Sequence, residues 1–139
     1  MKEPSAYTIR ELSARYELPA STLRYYEDLG LLPRVEHLEN GSRRYTDAHL
    51  ERLDGILCFK RAGMSISQIQ TFYEYEQNLA ENIDAITALI TDQETVMLQQ
   101  LSDLEKSLAH LREKLTYYGT VKQALADGRP IPAWEEVIC

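Results

Sequence analysis

Apolar positions along the chain change their spacing several times, and each change marks an element. Ile9, Leu12 and Ala14 to Tyr16 recur at helical intervals. Ahead of them Thr8-Ile9-Arg10-Glu11 reads as a capping box, in which the Thr8 hydroxyl takes a backbone N–H and Glu11 reaches back. Glu17-Leu18 turns the chain, and Pro19 suits a first helical position. A second short helix is expected from about Ala20 to Leu29, ended by Gly30. Two short helices joined by a tight turn predict a helix-turn-helix. Pro33 and the run Val35 to Leu38 then lead through Glu39-Asn40-Gly41-Ser42 into Arg43-Arg44-Tyr45, and Asn-Gly between short extended runs predicts a hairpin. A third helix starts near Thr46 or Asp47 and stops at Gly63, with Leu50, Leu53 and Leu57 as its apolar stripe. Ser65 caps a fourth, Ile66 to about Glu76, with Ile66, Ile69, Phe72 and Tyr73 on one side.

From Ile83 the pattern becomes heptad-like. Ile83, Ile86, Ile90 and Met97 follow one register, with Gln93 at a core position. A four-residue step leads to Leu101, and Leu104, Leu108, Leu111, Leu115 and Tyr118 resume the alternation. The extra step is a stutter, which locally unwinds a supercoil. A helix over 83–118 would be roughly 50 Å long at 1.5 Å per residue. So narrow an apolar stripe needs a partner, and two copies packed antiparallel or parallel supply one. Gly119 is expected to break the rod, leaving Thr120 to Ala126 as one or two further turns, and Trp134 in the tail is expected to dock on the coil or on a partner.

Composition adds limits. The 139 residues suffice for one domain plus an extension. No apolar run approaches the ~20 residues of a membrane span, and residues 1–5 lack the apolar core of an export signal. Two cysteines, Cys58 and Cys139, are too few for a disulfide framework, which fits a reducing cytoplasm. The net charge of -7 is unevenly spread. Residues 1–63 hold ten basic and ten acidic residues, so the five basic and twelve acidic residues beyond them carry the whole excess. Phosphate contacts need local rather than total positive charge. No Ser-His-acid set, phosphate-binding Gly loop or convergent carboxylate pair points to an enzyme, and His37, His49 and His110 stand far apart.

Two short basic and aromatic segments, Thr22-Leu23-Arg24-Tyr25-Tyr26-Glu27 and Gly41-Ser42-Arg43-Arg44-Tyr45, are thus placed as a helix and a wing that grip one DNA duplex. Arg24 and Arg43 offer paired donors to phosphate or guanine, and Tyr hydroxyls commonly bond phosphate. Ser21 and Thr22, at the start of the second helix, are placed to meet base edges. Tyr25, next to Leu23, is expected in the core.

In order and spacing these motifs resemble the MerR family of bacterial regulators. The resemblance rests on Tyr7-Thr8-Ile9, on Leu23-Arg24-Tyr25-Tyr26-Glu27 with Gly30-Leu31-Leu32-Pro33, on Asn40-Gly41-Ser42-Arg43-Arg44-Tyr45, and on Gly63-Met64-Ser65-Ile66. It implies a mainly α fold: a winged helix-turn-helix domain over 1–78 (wing about 34–45), a long antiparallel coiled-coil dimerisation helix over 79–118, and a short tail over 119–139. It implies that Arg24 and Tyr26 contact DNA from the recognition helix. Arg43, with Arg44 beside it and Tyr45 in support, would do so from the wing. The Thr8 backbone would hold a phosphate at a helix N-terminus, and Lys60 falls at a frequent basic contact. His37 stands where some relatives have Arg. The partners implied are double-stranded promoter DNA, a second copy of the chain, and RNA polymerase acting through the promoter; no membrane is involved. Promoter DNA would be bent and untwisted, at roughly 1–10 kcal/mol of elastic cost.

The effector is less legible. Residues 112–138 contain no Cys or His, so the clustered thiolates of a soft-metal sensor are missing and neither metal nor cofactor is expected. The chain stops about 20 residues after the coil, which argues against the large ligand domain of drug-binding relatives. Phe72, Tyr73, Tyr75, Tyr117 and Tyr118 would suit a small apolar pocket where the fourth helix meets the coil, or simply fill core. Cys58 in Cys58-Phe59-Lys60-Arg61-Ala62-Gly63 looks like the segment of the small aldehyde- and nitrosative-stress-responsive branch. It is either a thiolate sensor, favoured by Arg61 and opposed by Asp54, or an inert thiol. A coiled-coil adaptor that reuses the domain for protein contacts is the alternative of another class.

Overall fold

The computed structural model describes residues 6–139. Residues 1–5, on which the reading against an export signal rests, lie outside the described ones. In chain order come β1 (Ala6–Thr8), α1 (Ile9–Tyr16), α2 (Ala20–Asp28), β2 (Glu36–His37), β3 (Arg43–Thr46), α3 (Asp47–Arg61), α4 (Ile66–Glu76), α5 (Leu79–Ala126) and α6 (Trp134–Val137). The fold divides into two compact units, the first ending at Gln93 and the second spanning Glu94–Cys139.

In the first unit, Thr8 caps α1 by accepting the Glu11 N–H at 3.1 Å, and its hydroxyl also meets the Glu11 carboxylate at 3.2 Å. Glu11 therefore closes the cap side chain to side chain rather than by reaching back to the backbone. The turn to α2 passes through Glu17 in the left-handed region (φ 54). That costs a non-glycine residue about 1–2 kcal/mol, and two bonds between Ser13 and Leu18 hold it: the Leu18 N–H to the Ser13 carbonyl, and the Ser13 hydroxyl to the Leu18 carbonyl. Helix α2 ends in a Schellman motif, with Gly30 at φ 80, the Leu31 N–H on the Tyr26 carbonyl and the Gly30 N–H on the Glu27 carbonyl.

The sheet is antiparallel in the order β1-β3-β2. β1, too short to register as a period-two pattern, escapes the sequence reading; it places Tyr7 opposite Tyr45. The hairpin is closed as Asn-Gly predicts. The Asn40 carboxamide oxygen accepts from the Ser42 N–H at 3.0 Å, and the Gly41 N–H bonds the Leu38 carbonyl at 2.8 Å.

One core joins these elements: Leu12 of α1, Leu23 and Tyr26 of α2, Leu31 and Leu32 after it, Tyr45 of β3, Leu50, Leu53 and Ile56 of α3, and Ile69 of α4. Ile56, rather than the expected Leu57, completes the buried stripe of α3 beside Leu50 and Leu53; Leu57 is half-buried. The start of α5 packs on this core through Leu89, and the Gln93 side-chain amide donates to the Ala62 carbonyl at the end of α3 (2.5 Å). Ile86 is buried within the protomer, so it leaves the stripe expected to meet a second copy.

Helix α5 runs for 48 residues, straight through Gly119. A mid-helix glycine costs about 1 kcal/mol against alanine but does not force an exit. The stop comes at Gly128 (φ 70), where the Arg129 N–H bonds the Ala124 carbonyl at 2.8 Å. In the second unit the tail returns to its own helix. The Trp134 ring lies 5.1 Å from that of Tyr117, the Lys114 ammonium 4.5 Å from the Trp134 centroid, and the Tyr117 hydroxyl bonds the Pro132 carbonyl at 2.9 Å.

Leu53 is fully buried at the centre of the core. Leu53→Ala should lower the unfolding free energy by about 2–5 kcal/mol in urea titrations. A loss under ~1 kcal/mol would show that α3 is not the core's central element.

Candidate nucleic-acid interface

Helix α2 is too short to hide more than one face. Leu23 and Tyr26, three apart, point inward. Ser21, Arg24, Tyr25 and Asp28 share the opposite, exposed face, and Thr22 is half-buried. This reverses two expectations. Tyr25, expected in the core, is 50% exposed, whereas Tyr26, expected to contact DNA, is 1% exposed. Burial next to Leu23 obeys the helical period, not adjacency in sequence. The Tyr26 hydroxyl instead takes a hydrogen bond from the Lys60 ammonium at 3.1 Å. It thereby fixes an exposed cation at the end of α3.

The wing's two faces differ because strand side chains alternate. Tyr45 is fully buried, edge-on to His49 at 5.6 Å between ring centres. Burial raises its phenol above the ordinary value, so it stays neutral. Arg43 shares that face and donates its Nε–H to Glu27 of α2 at 2.6 Å. His37, register partner of Arg43, places Nε2 2.5 Å from the other Glu27 oxygen. Arg44 faces the other way, exposed, its nearest acidic group being Glu36 at 3.9 Å. The wing is also held at its base. His49, buried, receives the Thr46 N–H on Nδ1 (3.0 Å), so Nε2 carries the proton and donates it to the Pro33 carbonyl (2.7 Å).

Between the wing and the start of α1 lies an open cleft of about 390 Å³, lined by Tyr7, Thr8, Ile9, Leu38, Arg43 and Arg44 among others. It brings the N-terminus of α1, where backbone N–H groups lack helical partners, to the same place as two wing arginines.

This geometry agrees with the comparisons. Residues 7–76 match the family model described as the MerR HTH family regulatory protein. An uncharacterized HTH-type transcriptional regulator of Haemophilus influenzae is 34% identical over 116 residues, covering 84% of this chain and 86% of that one. The chain belongs to the MerR family.

MerR proteins similar to it include HiNmlR, a family regulator lacking the sensor domain, whose crystal structure is bound to promoter DNA. That structure superposes with a TM-score of 0.77 at 31% identity and covers 97% of each chain. The regulator AdhR of Bacillus subtilis is 36% identical over 61 residues, 44% of each chain. The chain is therefore a DNA-binding transcription regulator with the winged helix-turn-helix and long C-terminal helix of the family, not an enzyme. No described helix is long and apolar enough to cross a membrane.

Of the remaining expected residues, Cys58 is exposed and unbridged on α3. The five aromatics expected around one pocket divide. Phe72 and Tyr73 pack edge-on with Phe59 in the first unit, where Tyr75 is half-buried, and in the second Tyr117 packs with both Tyr118 and Trp134. Among the described residues no cluster of three or more His, Cys, Asp or Glu is placed to hold a metal. Sequence reasoning assigned no role to Glu27 or His49. The partners of Glu27 lie 10 and 16 residues away and the Pro33 partner of His49 lies 16 away, beyond any local spacing rule.

Burial works against ionisation of Glu27, but the hydrogen bonds from Arg43 and His37 outweigh it and hold its carboxyl below the ordinary 4.5. A carboxyl lowered on folding stabilises the fold above that ordinary value and loses the contribution as pH falls through the lowered one. Urea midpoints followed from neutral into acid should fall more steeply for wild type than for Glu27→Gln. Parallel curves would contradict the assignment.

Proposed function

We propose that the protein binds promoter DNA as a homodimer and activates transcription by bending and untwisting the duplex, so that RNA polymerase meets realigned promoter elements. The observation that carries this reading is a single head on which an exposed helix face and an exposed wing arginine are locked to one core, in a fold similar to a regulator held on promoter DNA. In this reading Ser21, Thr22, Arg24 and Tyr25 enter the major groove. Arg44, the terminal nitrogens of Arg43, Lys60 and the α1 N-terminus at Thr8 meet phosphates. Tyr26 and Tyr45 act from beneath, as supports.

Dimerisation is supported by the apolar stripe of α5. Leu104 is 67% exposed, Leu111 58% and Leu115 73%, and Ile83, Ile90, Met97, Leu101 and Leu108 are also exposed. Each leucine so covered contributes about 1.5–3 kcal/mol. An antiparallel pair of these helices would set the distance between two reading heads. Their rigidity is what could impose strain on the operator.

For the effector, the reading favours a thiol sensor at Cys58, in which the thiolate adds to an electrophilic carbon or is oxidised to a sulfenic acid by a peroxide, whose other oxygen leaves as hydroxide. Exposure of Cys58 and the likeness to HiNmlR and AdhR support it. Comparing wild type with Cys58→Ser in an aldehyde-treated transcription assay decides the matter: equal responses remove Cys58 as the sensor.

Arg44→Ala should weaken duplex binding and make the slope of log affinity on log salt shallower by about one, the signature of one lost phosphate contact. An unchanged slope would remove Arg44 from the interface. Leu104→Glu with Leu111→Glu should convert a dimer to a monomer in sedimentation runs. A wild type already monomeric would remove the coil from the account.

A further inference from the structure

The recognition helix carries an anion that simple electrostatics would exclude from a DNA-binding face. Glu27 is two to three residues from Arg24 and Tyr25 on a nine-residue helix. It is mostly covered, its side chain 17% exposed, and both carboxylate oxygens are committed: Oε2 to Arg43 Nε at 2.6 Å, Oε1 to His37 Nε2 at 2.5 Å. His37 and Arg43 face each other across β2 and β3, so one carboxylate from α2 grips both strands of the wing. Charge-assisted bonds of this length are the strong ones.

The geometry at Arg43 gives the grip a further consequence. Arg43 is held along its Nε edge, and a guanidinium is a rigid planar fork. That bond ties down one edge of the plane and leaves the two terminal nitrogens unused by Glu27. A long side chain held in this way loses less freedom when it meets a phosphate than one that is free.

We propose that Glu27 is a positioning residue for DNA binding: by clamping Arg43 and His37 it sets the angle of the wing against the recognition helix and aims the Arg43 guanidinium. The inference rests on the proposed wing–phosphate contact. It carries a sign that distinguishes it from plain charge. Removing an anion near phosphates should tighten binding if Glu27 only repels DNA, and weaken binding if Glu27 acts through the wing.

The test uses the full chain and a labelled duplex selected by the wild type from a randomised library. Dissociation constants are measured at one salt concentration for wild type, Glu27→Ala, Glu27→Gln, Arg43→Ala and the Glu27→Ala/Arg43→Ala double variant, with circular dichroism confirming the folded state. Glu27→Ala should bind roughly tenfold more weakly, the scale of one charge-assisted hydrogen bond. Most of that loss should vanish in the Arg43→Ala background, because the two act as a unit. Glu27→Gln keeps the shape, so it tests the sign even if the alanine variant is poorly folded; it should also bind less tightly than wild type. A folded Glu27→Gln that binds as tightly as wild type or more so overturns the clamp alone. So does an undiminished loss in the Arg43→Ala background. A wild type that retains no duplex overturns the DNA-binding reading, and the clamp with it.

Discussion

Burial of one wing residue, Tyr45, organises the head of this protein. The ring has no exposed surface, lies edge-on to His49 and stands in register with Tyr7 of β1. Strand periodicity does the rest. With Tyr45 turned into the core, Arg43 must share its face and meet α2, and Arg44 must face solvent. A slip of one residue would exchange the roles of the two arginines and expose an aromatic ring. The hydroxyl of Tyr45 is buried without a hydrogen-bond partner among the described residues. An unpaired hydroxyl in such a place costs about 1–3 kcal/mol, which the ring's burial offsets.

The same logic links the other supports. Tyr26 is to α2 what Tyr45 is to the wing: an aromatic pulled into the core that decides which neighbours remain outside. Burying Tyr26 turns Ser21, Arg24 and Tyr25 outward and gives Lys60 a hydroxyl to rest on. His49, in its Nε2-protonated form, ties the wing's base to α3. Helix and wing are therefore joined by packing below and by the Glu27 carboxylate at the side.

Much of this was legible in the sequence. Local signals work where local physics decides: Asn40-Gly41 closes the hairpin, Ser65 caps α4, and Gly30 and Gly63 end their helices through the bonds their positions predict. Local spacing fails where tertiary packing decides. Tyr25 and Tyr26 are separated by the i, i+3 rule from Leu23, which buries Tyr26, whereas closeness in sequence to Leu23 carries no information about burial. Gly119 resembles a break, yet a glycine ends a helix only where positive φ and the terminal bonds coincide, as at Gly128. Ile86 fits the heptad as well as its neighbours do. Nothing in its spacing reveals that the first turns of α5 lie on their own domain, with Leu89 on the core and Gln93 on the end of α3. The Glu27 grip joins three elements through one carboxylate, and no periodicity encodes it.

Beyond Gln93 the apolar stripe of α5 has no cover within its own unit, and the tail, folded back on Tyr117 through Trp134, leaves it open. The central claim is that this stripe pairs two rigid heads on one operator. Sedimentation of a labelled duplex titrated with the protein tests it most directly. The account predicts a single complex of two protomers per duplex, formed without a populated one-protomer species. A complex that saturates at one protomer, or a duplex that sediments unbound, would contradict it.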